Sequence, residues 1–179
     1  MAYEGQERVS KTDIFNVQIG CIMDLLITGI VAGVIGTLIM DLLNNLVART
    51  GVFFKIDVVM IGRMAAGWTR GRFRYEHPDE MEHVSNEMIY GYLMHFGIGV
   101  GLAVPFILSW GIWAGNPVPP ICAFLYGVST TAASFFFVYP SMGLGVCGMK
   151  SQEKIKAFIS PLANHLFYGI GLALGVAII

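Results

Sequence analysis

The stretch Asp24-LLITGIVAGVIGTLIM-Asp41 decides the fold: sixteen residues separate two carboxylates, and none of them is charged. Apolar sequence extends on both sides, over about residues 20–48. A helix needs ~20 apolar residues to cross a bilayer. Three further stretches reach that length, at about 88–113, 118–139 and 158–179. The first of these holds His95 and Pro105, the second no charge at all, and the third only His165. Alternation with period two over ~10-residue units, the mark of a membrane barrel, is missing. Backbone polar groups in lipid must then bond within helices. The chain therefore reads as all-α: a polytopic bundle of four transmembrane helices over residues 20–179, behind a polar tail over 1–19.

Composition agrees. Of 179 residues, 55% are apolar and 13% charged, where a soluble domain carries ~25% charged residues. Mean hydropathy is +0.67. A disordered chain, a disulfide-stapled module and a nucleic-acid binder are all excluded, the last because a net charge of −1 leaves no basic footprint for a polyanion.

The first nineteen residues lack the apolar core of a cleavable signal, so the first span is expected to direct insertion. Arg8 and Lys11 precede it, whereas nine Lys and Arg lie in the loops at 49–87 and 140–157. The positive-inside rule puts both loops in the cytoplasm and both termini on the other side. Trp110 and Trp113 would then mark the outer interface, and Tyr139 and Trp68 the inner one. The first loop is too apolar early on for free coil. Val52-Phe53-Phe54 and Ile56 to Trp68 read as an interfacial amphipathic segment on the inner leaflet. Arg63, Trp68, Arg70, Arg72 and Arg74 are its candidate lipid contacts, with the arginines against anionic headgroups or serving only to set topology.

Three GxxxG pairs, Gly29/Gly33, Gly97/Gly101 and Gly171/Gly175, are expected to let helix backbones approach closely. The run Ser129-Thr-Thr-Ala-Ala-Ser134 adds hydroxyls that can bond across such a contact. Small faces left over would suit other membrane subunits or a homo-oligomer. The three cysteines have no metal-binding spacing. Cys21 and Cys122 lie toward one side, where a disulfide could form, but the place of Cys122 inside a span favours a free thiol. Cys147, flanked by Met142 and Met149, offers soft donors of the kind copper takes, against the plainer reading of an ordinary loop.

Ionisable residues within spans are costly and are functional candidates by default. Asp41 ends the first span, with Asn44 and Asn45 beside it. His95 lies ~12 Å beyond Glu87 at helical rise, and Asn164 and His165 sit at a matching depth in the last span. Asp41, Glu87, His95 and His165 thus form a candidate inner-leaflet cluster. Three roles suit it: a transition-metal site for iron, manganese or zinc, a proton or ion relay, or hydrogen-bonded pairs that fix helix packing. The Glu-x-x-His repeat of di-iron bundles, the nucleophile elbow, the phosphate loop and HExxH are all missing.

Met40-Asp41, Gly62-Arg63, Gly71-Arg72-Phe73, Glu87, His95-Phe-Gly-Ile-Gly99, Trp113, Pro117 to Pro120, Tyr139-Pro140 with Gly143 and Gly145, and Asn164-His-Leu-Phe-Tyr-Gly169 follow one another in order. This order resembles a bacterial membrane family, domain of unknown function 2938, over about residues 33–177. The chain departs from that pattern at Met64, Tyr139 and Lys150-Ser151. The resemblance implies a bacterial inner-membrane protein and supports Asp41, Glu87, His95 and His165 as positions of interest, but implies no reaction. Three functions are therefore carried forward. The first is an accessory subunit of a larger membrane complex, in contact with lipid and protein neighbours. The second is a metal- or cofactor-binding membrane protein. The third is a small proton- or ion-coupled transporter, disfavoured because Pro105 has no matching break in the fourth span.

Overall fold

The computed structural model describes residues 10–115 and 117–179. Among them, four helices are long and apolar enough to cross a membrane. They are α1, Lys11–Ala48; α3, Glu87–Trp113; α4, Pro120–Ser141; and α5, Lys154–Ile178. The shorter α2, Val58–Thr69, lies between the first two. The all-α, four-helix reading stands, with the first and last helices longer than expected and the third span shifted two residues along. α1 takes in the end of the polar tail; Arg8 lies outside the described residues. α5 starts at Lys154 and runs unbroken through an interior proline, Pro161.

α1 is the central element, packed against α3 on one side and α5 on the other, and α4 packs on α5. Glycine makes these seams close. A β-carbon on Gly29 or Gly33 would come 2.8 Å from the Cα of Val104 or Val100 in α3. One on Gly171 or Gly175 would come 2.7 Å from the Cα of Gly36 or Ala32 in α1. Such contacts suit a bilayer, where dispersion between near-touching backbones replaces the hydrophobic drive.

Gly97 and Gly101 are a correction. A β-carbon on either would meet nothing within 4 Å, so this pair does not pack the chain against itself. The buried stripe of α3 runs instead through Gly91, His95, Gly99, Ala103 and Ile107, where Gly99 faces Thr37. Two residues along a helix turn the chain ~200°, to the opposite face.

The first loop is a folded unit. Asp57 caps α2, its Oδ1 accepting from Met60 N–H at 2.9 Å. The buried face of α2 is small, with Gly62, Ala65, Ala66 and Gly67 around Met64. Gly62 lies on the Glu87 backbone and Gly91 on that of Val58. Met64, Tyr75, Met81 and Met142 form a second core under this loop. Trp68, expected as an interfacial anchor, packs against that core and donates its indole N–H to Ser141 Oγ at 2.7 Å.

α4 carries a π-helical turn over Ser134–Val138. Its cause is local: Pro140 has no N–H for the Phe136 carbonyl, and its ring crowds that turn. Tyr139 N–H reaches back to Ser134 O, five residues away, and the turn widens.

Candidate functional site

α3 and α4 meet where Tyr126 stacks on Phe106, with ring centroids 4.1 Å apart, and where the Tyr126 hydroxyl donates to Leu102 O at 2.8 Å. Toward the loops a cavity of about 360 Å³ lies between the two helices. His95, Ile98, Gly99 and Leu102 line it from α3, and Ala133, Ser134, Val138 and Tyr139 from α4, including part of the π turn. Asn164, His165 and Tyr168 close it from α5, and Met40 from α1. Phe54 to Asp57 and Met60 cover the loop end, where exposed Lys55 and Asp57 stand at the mouth. From His95 to Leu102 is seven residues, so the cavity extends ~10 Å along α3.

The cover is pinned by an amide. Asn44, 1% exposed, accepts from Ile56 N–H at 3.0 Å and donates to Phe54 O at 3.1 Å and to Asn164 Oδ1 at 2.7 Å. Phe54 N–H donates to Ser160 Oγ at 2.8 Å. The amide thus bonds residues 54 and 56 as a neighbouring strand would, so that segment satisfies its backbone beside the bundle.

The two histidines differ. Thr130 donates its hydroxyl proton to Gly127 O at 2.5 Å, so its oxygen accepts from His165 Nδ1–H at 2.8 Å. His165 Nε2 is then the acceptor for the Ser134 hydroxyl, also at 2.8 Å. Both ring nitrogens are occupied. His95 donates from Nε2 to Asp41 Oδ1 at 2.8 Å, and its Nδ1 has no hydrogen-bond partner among the described residues. His95 is 8% exposed and is one of the residues that line the cavity.

Asp41 therefore pairs with His95, and His95 and His165 both line the cavity, from α3 and α5. Glu87 does not join them. Its carboxylate takes Arg63 in a fork, Nε to Oε2 at 2.8 Å and Nη2 to Oε1 at 3.2 Å, and this bond raises the Arg63 pKa. Arg63 Nη2 also donates to His83 Nδ1 at 2.8 Å. Glu87 thereby locks α2 to the start of α3, where the helix dipole also favours a carboxylate. No three His, Cys, Asp or Glu side chains converge among the described residues. The donor set fits a metal poorly, because a transition ion takes at least three protein ligands.

Of the candidate lipid contacts, Arg70 pairs with Glu82 at 2.7 Å and Arg72 with Glu80 at 2.5 Å. Tyr139, expected at the interface, lines the cavity. Cys21, Cys122 and Cys147 are all free thiols. The cavity itself left no mark in the sequence beyond its polar residues. The Tyr139-Pro140 step, which widens the helix above it, was the available signal.

A family model described as protein of unknown function (DUF2938) matches residues 30–179. No curated protein and no solved structure matches the chain.

Proposed function

The chain belongs to the DUF2938 family of proteins of unknown function, and on that premise we propose that it binds a small amphipathic molecule from the bilayer in the cavity between α3 and α4. The observation that carries this reading is an about 360 Å³ volume inside a four-span bundle, lined by apolar side chains with an oriented histidine on its wall. Ligand sites have this character: a concave, mostly apolar surface with a few placed polar groups. The loop face, with nine of the eleven Lys and Arg, is the cytoplasmic one in this reading. A cysteine at Gln152 should then be shielded from impermeant maleimide in intact cells.

Ala133→Phe tests the reading, because Ala133 lines the cavity and a phenyl ring there would obstruct it. Mass spectrometry of the protein purified in mild detergent should find a co-purifying molecule on the wild type and none on the variant. The same molecules on both would overturn it.

A second reading, an accessory subunit in a larger membrane complex, is favoured by one observation. Gly97 and Gly101 face open space within the chain, as a helix-docking pair free for another subunit or a second copy would. Gly97→Leu should then release the protein from a native assembly and leave it inserted. Migration of the unmutated protein as a lone monomer in native gels would refute it.

A further inference from the structure

Resting on the ligand-binding reading above, the geometry points to a class of ligand: we propose that the occupant is a molecule with an apolar body and a hydroxyl donor, and that His95 Nδ1 is the acceptor that selects it. The apolar wall is the first argument. Met40, Ile98, Leu102, Val138 and Met142 suit a hydrocarbon or aromatic body, and methionine adapts to its outline.

Hydrogen bonding is the second and decides the class. The two nitrogens of a neutral imidazole are one donor and one acceptor. Asp41 takes the Nε2 proton, so Nδ1 presents a lone pair, and the partner of a lone pair is a donor. A ketone, ether or ester brings only acceptors and would leave the Nδ1 lone pair unanswered. An alcohol or phenol completes the bond. His165 cannot substitute, since Thr130 and Ser134 occupy both its nitrogens. Asp41 is the positioning residue, because it fixes which nitrogen faces the cavity.

The test compares two probes that differ in the donor alone, 1-naphthol and its methyl ether, by equilibrium dialysis against the full chain in detergent. Ala133→Phe in the same detergent subtracts partition into micelles. Naphthol should bind ~10-fold or more tightly than the ether, as a site built around a donor discriminates. His95→Leu combined with Asp41→Asn, which removes the imidazole acceptor without stranding a carboxylate, should bring the two affinities together. Equal affinities on the wild type, or discrimination unchanged in that double variant, would overturn the hydroxyl inference and leave the cavity reading standing. Binding of neither probe above the Ala133→Phe background would overturn both.

Discussion

Along the seam between α1 and α5, glycine brings two backbones into contact, Gly171 on Gly36 and Gly175 on Ala32. Between α3 and α4 the helices meet at Tyr126 and Phe106, and toward the loops a cavity takes up the space. Both pairs of helices are apolar and cross the same layer. Where small residues face each other the bundle closes; where the π turn and Pro140 widen a helix and a polar side chain faces in, it stays open. In a bilayer no hydrophobic pressure forces the open part shut. The difference separates the part of the molecule that holds it together from the part able to take a ligand.

Gly171→Leu should be the most damaging change, because its β-carbon alone would come 2.7 Å from Gly36 Cα and 2.9 Å from Ile39 Cβ of α1. Overpacking of this kind costs ~3 kcal/mol or more. Thermal unfolding in detergent should show a large loss of stability. A near-normal transition would mean that the seam is looser than its glycines imply.

His95→Leu comes next. It leaves the Asp41 carboxylate without its partner, and a charge within a span costs ~2.5–3.5 kcal/mol. Adding Asp41→Asn should recover much of that loss, since the charge is then gone. His165→Leu should also destabilise, by ~1–3 kcal/mol for the Ser134 hydroxyl left unpaired, and Asp41→Asn should not recover it. Equal rescue of both would erase the distinction between the two histidines.

The smallest effect belongs to the loops beside the cavity mouth. Lys150 Nζ donates to Glu76 Oε2 at 2.6 Å and to Glu76 O at 3.1 Å, joining the first and third loops. This bond holds the Glu76 carboxyl below its ordinary pKa. A depressed carboxylate pKa adds stability that is present above the unfolded value, ~4.3, and is lost as pH falls through the folded one. Hydrogen exchange near residues 76 and 150 should therefore quicken below about pH 4, while the α1–α5 seam is unchanged. Lys150→Gln should remove the pH dependence.

Four spans, the folded first loop and the meeting of Asp41 with a histidine were legible in the chain. Apolar length, charge placement and depth along a helix are one-dimensional quantities that the bilayer turns into geometry. The tertiary structure alone decided three matters. It turned Gly99 rather than Gly97 toward α1, because a helix face depends on rotation about an axis that depth does not report. It gave Glu87 to Arg63, because α2 folds back across the start of α3 and delivers a guanidinium there. It also left an opening between α3 and α4, since a void is the product of several helices failing to meet, and no single stretch of sequence encodes it.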